Sequence, residues 1–150
     1  MKFGIIGFGK MGQIRARTLE QSGMGEVVSV YEPNARAEVL YHRASTEDEV
    51  LMNPSIDSIF VCTPNYKIPD LCIRGLRNGK HVFSEKPPGL NADDVSRVIE
   101  VENNFPTLKL MYGFNHRHHE SIKKMKSMID GNELGKILWM RGRYGKEVDE

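Results

Sequence analysis

Short apolar runs alternate with helical stretches almost without exception along this chain, and that alternation restricts its fold more than any other feature. Residues 3–6 form a buried-strand run that ends in glycines, and a helical stretch then leads to Ser22-Gly23. Val27, Val28 and Val30 mark a second strand closing at Tyr31-Glu32-Pro33. A short helix is expected over residues 36–41, and Thr46 with Glu49 gives a T-x-x-E cap for another. Residues 58–62 (SIFVC) are a third clear strand, closed by Thr63-Pro64-Asn65. Ile68, Leu71, Cys72, Gly75 and Leu76 then fall at i, i+3, i+4, i+7 and i+8, one face of a helix, with Gly79 just past its end. A strand over residues 81–83 ends in Glu85-Lys86-Pro87-Pro88, and Asn91 caps a helix carrying Val95, Val98 and Ile99. Residues 108–112 read as the next strand. Ile122, Met125 and Ile129 line a last helix, and residues 137–143 read as one more strand. Parallel strands need crossovers, and helices are the usual crossovers. The pattern therefore predicts an α/β domain with a mostly parallel sheet.

In such sheets ligands bind outside the carboxyl ends of the strands. The unusual residues cluster at those ends: 7–12, Glu32, 63–65, 85–87 and 113–117. A doubly wound sheet brings them together. Composition removes the rival classes. Lys and Arg number 21 against 20 Asp and Glu, a net charge of +1, which excludes a strongly basic nucleic-acid binder. No apolar run approaches the ~20 residues of a membrane span, so no membrane partner is expected. Cys62 and Cys72 are two unclustered thiols, giving neither a disulfide framework nor a metal knuckle, and a reducing cytoplasm is the default compartment. Glycines and a second Lys break up residues 1–12, which read as a mature strand rather than a signal segment.

Gly7-Phe8-Gly9-Lys10-Met11-Gly12 matches G-x-G-x-x-G between a strand and a helix. Gly7 permits the tight turn, Gly9 lets a diphosphate approach the backbone, and Gly12 lets the helix pack close. Free N–H groups at the helix start then hold the phosphate charge. Glu32 stands twenty residues after Gly12, at the end of the second strand. It can accept both hydroxyls of an adenosine ribose and would repel a 2′-phosphate, which favours NAD over NADP. Arg36 lies close by and blurs that preference. A phosphate-binding P-loop competes for the same residues, since 4–10 (GIIGFGK) fits G-x-x-x-x-G-K. Met11 then stands where Ser or Thr must reach Mg²⁺, and Gly4 lies inside the strand pattern.

At the next strand end, the Thr63 hydroxyl and the Asn65 amide suit a ribose or an amide; Asn65 serves equally well as a helix cap. Lys86 stands at a sheet end facing the cleft, with Pro87 fixing the turn. It can carry positive charge toward an oxygen whose charge changes in hydride transfer. The spacing H-x-H-H of His116, His118 and His119 is not a common zinc pattern and no cysteine is near, so no metal site is expected.

Taken in order, G-F-G-K-M-G, V-Y-E-P, C-T-P-N, G-K-H-V-F-S-E-K-P, G-F-N-H-R and G-N-E-L-G-K-I resemble the N-terminal part of the Gfo/Idh/MocA oxidoreductases. The likeness spans nearly the whole chain, and its G-K-H-V…E-K-P block is more specific than the glycine loop. It implies a Rossmann domain over residues 1–118. It also implies the lead-in helix and first strand of a truncated α+β substrate domain over residues 119–150. It further implies NAD(P)-dependent oxidation or reduction of sugars, cyclitols and related hydroxy compounds, and a homo-oligomer at full length. By the same resemblance, Gly7, Gly9 and Gly12 hold the diphosphate, with Phe8, Lys10 and Met11 in the same loop, and Glu32 holds the adenine ribose. Thr63, Pro64, Asn65 and Glu85 line the nicotinamide side. Lys86 faces the substrate hydroxyl, with Asn115 and Arg117 near the same cleft. Two departures stand out. Ile68 occupies a place where the family often has His. The family's acid/base His also comes from beyond the position of Glu150, so the chain is expected to be a fragment that binds dinucleotide and turns over little. The alternative is a stand-alone NAD(H)-binding or sensing module without chemistry.

Overall fold

The computed structural model describes residues 1–34, 40–143 and 145. Two compact units divide the chain, Met1–Phe114 and Asn115–Glu150. The first holds a six-stranded sheet. Its elements follow in order: β1 (Lys2–Ile6), α1 (Lys10–Ser22), β2 (Glu26–Tyr31), β3 (His42–Arg43), α2 (Glu47–Met52), β4 (Ser58–Val61), α3 (Ile68–Arg77), β5 (His81–Ser84), α4 (Ala92–Glu102) and β6 (Leu110–Tyr112). The strand order is β3-β2-β1-β4-β5-β6, and every pairing among the described residues is parallel. The chain thus builds outward from β1 to one side and then reverses to the other, which is the doubly wound Rossmann arrangement.

Burial on both faces explains why β1 reads as a continuous apolar run. Its side chains alternate. Phe3 and Ile5 join Ala16 and Leu19 of α1 and Val27 and Val30 of β2 in one core. Ile6 joins Val50 and Leu51 of α2, Ile59 and Val61 of β4, and the buried face of α3 in the other. All five α3 residues picked out by helical spacing are buried. Each fully buried Leu or Ile stabilises these layers by about 2 kcal/mol. The caps form as the sequence expects. Thr46 accepts the Glu49 N–H at 3.1 Å, and Asn91 Oδ1 accepts the Asp94 N–H at 3.0 Å. Glu49 reaches back one residue further than a standard capping box, to the Ser45 N–H at 2.7 Å.

At the amino rim of the sheet, Lys80 is 6% exposed. Its Nζ donates to the carbonyls of Asn53 and Ile56, each at 2.7 Å. This fastens the loop before β4 to the start of β5, and burial pushes the ammonium below the usual lysine range.

Several expectations change. Of the helix over residues 36–41, residues 36–39 lie outside the described ones, and Leu40 and Tyr41 are not helical. The two-residue edge strand β3 carries no apolar signal that could have announced it. Ile99 is 49% exposed, because α4 buries Val98 and turns the next residue outward. In the second unit, α5 (Glu120–Asp130) forms with Ile122, Met125 and Ile129 exposed. Residues 137–143 are not a strand: a strand requires a ladder partner, and none pairs with them among the described residues.

Candidate functional site

Four strands of the first unit deliver their turn residues to the carboxyl rim: Gly7 after β1, Glu32 after β2, Cys62 and Thr63 after β4, Glu85 and Lys86 after β5. Gly7 stands at φ +91°, and a Cβ there would lie 2.5 Å from the Cys62 carbonyl oxygen. Its N–H donates to the Tyr31 carbonyl at 2.8 Å, locking the loop against the end of β2. A Cβ on Gly12 would collide with the Gly7 carbonyl oxygen. Gly9 differs. Its backbone, at φ −72° and ψ −160°, suits any residue, and a Cβ there would meet nothing within 4 Å. The protein itself does not need glycine at Gly9. Its bare Cα faces open space at the start of α1.

That helix begins without a side-chain cap and without an acidic residue in its first turn. The first intrahelical bond runs from the Gln13 N–H to the Gly9 carbonyl at 3.0 Å. The amides before Gln13 and the positive end of the helix dipole together suit an anion. Gly4 pairs within β1 to both β2 and β4, so it belongs to a strand and not to a P-loop turn.

A cavity of about 320 Å³ opens beside the glycine loop. Gly7, Gly9, Glu32, Thr63 and Pro64 line it, as the strand-end argument expects. Glu32 accepts the Asn34 N–H through Oε1 at 3.1 Å, and its carbonyl accepts from the Arg43 guanidinium at 3.2 Å. The Thr63 hydroxyl is buried and, among the described residues, has no hydrogen-bond partner. A buried polar atom without a partner costs about 1–3 kcal/mol, and a ligand hydroxyl or amide in the cavity would satisfy it. The open Cα at Gly9, the uncapped helix and the orphaned hydroxyl together fit a dinucleotide. Arg36 lies outside the described residues.

Tyr66, Lys67 and Glu47 also line the cavity, and the sequence reading missed them. The Lys67 ammonium meets the Glu47 carboxylate at 2.8 Å, which holds the lysine above its usual range. The two residues lie twenty apart in the chain, and no local pattern joins them. Asn65 caps nothing with its side chain; it opens the 3-10 turn Asn65–Lys67, where its carbonyl accepts the Ile68 N–H. Ile68 is 1% exposed and packs in the core at the start of α3, so an apolar residue suits that place.

Phe8 turns inward, 7% exposed, and its ring meets Tyr41 edge-on at 5.6 Å, so only its backbone is on offer to a ligand. Lys10, Met11 and Lys86 are exposed. Glu85 is 8% exposed and pairs with Arg15 of α1. Asn115 and Arg117 lie in the turn Asn115–His118 that opens the second unit, both exposed. His116 and His119 stack at 5.0 Å, and among the described residues no group of three or more His, Cys, Asp or Glu side chains is arranged to hold a metal.

The two thiols are held protonated. Burial pushes Cys62 up to about 12, with the nearby Glu85 charge adding to the effect and Arg15 opposing it. Burial likewise pushes Cys72 up to about 11. The thiolate is the reactive form. An alkylating reagent at pH 8 should therefore leave both cysteines of the folded chain unmodified and label both after denaturation. Fast stoichiometric labelling of the folded chain would contradict this protection.

Residues 1–114 match the Gfo/Idh/MocA family model, an oxidoreductase family with an NAD-binding Rossmann fold. The chain is 33% identical over 143 residues to a myo-inositol 2-dehydrogenase of Thermotoga maritima, covering 91% of this chain and 42% of that protein. It is 30% identical to the scyllo-inositol 2-dehydrogenase (NAD+) of Bacillus subtilis, again covering 42% of the relative. Among solved structures, scyllo-inositol dehydrogenase from Lactobacillus casei with bound NAD(H) and scyllo-inositol superposes with a TM-score of 0.80 at 26% identity. That match covers 90% of this chain and 42% of the other. The chain thus spans about two fifths of the length of these relatives. Among the described residues no helix is long and apolar enough to cross a membrane.

Proposed function

We propose, since the chain belongs to the Gfo/Idh/MocA oxidoreductase family with its NAD-binding Rossmann fold, that its carboxyl rim binds NAD for hydride transfer to or from a cyclitol, sugar or related hydroxy compound. The observation that carries this reading is the uncapped start of α1 beside a glycine whose Cα the fold leaves bare. Backbone amides of residues 9–12 hold the diphosphate. Glu32 accepts the hydroxyls of the adenine ribose and disfavours a 2′-phosphate, so NAD is preferred to NADP. The Thr63 hydroxyl, Pro64, Asn65 and Glu85 serve the other half of the dinucleotide. Bound nicotinamide supplies a hydride acceptor or donor at C4. The Lys86 ammonium lowers the cost of negative charge on the substrate oxygen. Residues from about His119 onward begin the substrate domain, and the whole protein works in the cytoplasm as a homo-oligomer.

A fluorescence titration tests this. NADH added to the chain should give a saturable enhancement, with NAD displacing it, ATP inert and NADP at least about tenfold weaker, a difference of about 1.4 kcal/mol. A flat titration, or displacement by ATP, overturns the reading.

A further inference from the structure

We infer that Arg15 is a positioning residue: by holding the Glu85 carboxylate, it sets the nicotinamide end of the cleft and couples α1 to the turn that carries Lys86. The two residues lie seventy apart in sequence, one on the helix that receives the diphosphate, the other directly before Lys86. Arg15 Nε donates to Glu85 Oε1 at 2.7 Å, and Nη2 lies 2.5 Å from the same oxygen as an ion-pair contact, with no hydrogen-bond partner of its own among the described residues. Their side chains are 15% and 11% exposed. The guanidinium also lies over the Phe83 ring, 4.9 Å from its centroid. A planar guanidinium that stacks on an aromatic ring and donates from Nε suits arginine and not lysine.

Both contacts fall on Oε1. Among the described residues no donor reaches Oε2, which lies on the side of Gly113. Taking two charges out of water is costly unless the remaining lone pairs find donors. The pair therefore presents one oriented, unpartnered carboxylate oxygen at the end of β5. β5 lies two strands from β1, on the side away from Glu32. A dinucleotide centred on the glycine loop, with its adenosine at Glu32, brings its second ribose to that side. Oε2 then accepts a hydroxyl of the nicotinamide ribose. This inference rests on the dinucleotide reading above and adds the residue that aims Glu85.

ADP keeps the adenosine and the diphosphate but lacks the second ribose and the nicotinamide, and so separates a local effect from a general one. In the full chain, Arg15→Met should weaken NADH about tenfold, the loss of one charge-assisted hydrogen bond. ADP affinity should stay within about twofold of the unsubstituted chain. Arg15→Lys keeps the charge without the fork. It should recover part of the NADH affinity, and it carries the same comparison should Arg15→Met not fold. Glu85→Gln should lose as much NADH affinity as the double variant Arg15→Met/Glu85→Gln, because the two residues act through one contact. Equal weakening of both ligands in a folded variant, or undiminished NADH binding, overturns the inference. Failure of NADH to bind the unsubstituted chain overturns the dinucleotide reading itself and this inference with it.

Discussion

Alanine at Gly7 should cost the chain about 3 kcal/mol of stability, whereas alanine at Gly9 should leave folding intact and weaken coenzyme instead. The two glycines sit two residues apart and answer to different demands. At φ +91°, an L side chain at Gly7 is strained by about 1–2 kcal/mol. The new Cβ would also press on the Cys62 carbonyl at 2.5 Å, and relieving that overlap moves backbone, at about 1–3 kcal/mol more. For a chain of this size the sum lowers the melting temperature by roughly 10 °C. At Gly9 the backbone is unstrained and the space is empty, so alanine even narrows the unfolded ensemble and adds about 0.5 kcal/mol of stability. Its methyl group instead occupies the approach to the helix amides, and NADH affinity should fall by about tenfold or more. Thermal melts and NADH titrations on both variants check the contrast. A Gly9→Ala chain that binds NADH as well as the unsubstituted one would show that nothing approaches the loop there.

Glu32→Ala should weaken NAD about thirtyfold and raise NADPH affinity relative to NADH. The carboxylate is oriented from both ends. Its Oε1 accepts the Asn34 N–H, and its own carbonyl is held by Arg43 from the neighbouring strand. Losing a charge-assisted contact to the ribose hydroxyls costs about 2 kcal/mol. Removing the negative charge also lifts the repulsion of a 2′-phosphate. Glu32 is only half-buried and not part of the core, so stability should change by less than about 0.5 kcal/mol. Parallel titrations with NADH and NADPH measure the ratio directly. An unchanged ratio would remove Glu32 from the adenosine pocket.

Periodicity and punctuation made most of the fold legible. The α3 stripe, the Thr46 and Asn91 caps, and the strand ends at Gly7, Glu32, Thr63 and Glu85 all follow from local chemistry. What escaped is non-local. β3 exists because Ser29 and Val30 offer it a ladder, and nothing in His42-Arg43 announces that by itself. Residues 137–143 have strand composition, but strand formation belongs to a pair. Phe8 reads as a loop residue, yet the ring of Tyr41 and the core around Phe3 and Ile5 draw it inward. Glu85 could be placed at the rim by its neighbours, but its Arg15 partner on the first helix could not, and neither could the Glu47–Lys67 pair in the cavity wall.

The order in which the strands enter the sheet has a consequence for the growing polypeptide. By the time β3 has left the ribosome, β1, β2 and β3 can already assemble, while the other flank of β1 waits for β4. That waiting flank is bordered by Ile5 and Ile6, both 0% exposed in the finished protein, with its ladder groups unpaired. A half-built sheet of this kind is sticky. The interval before residues 58–61 emerge is therefore when the nascent chain most needs a chaperone.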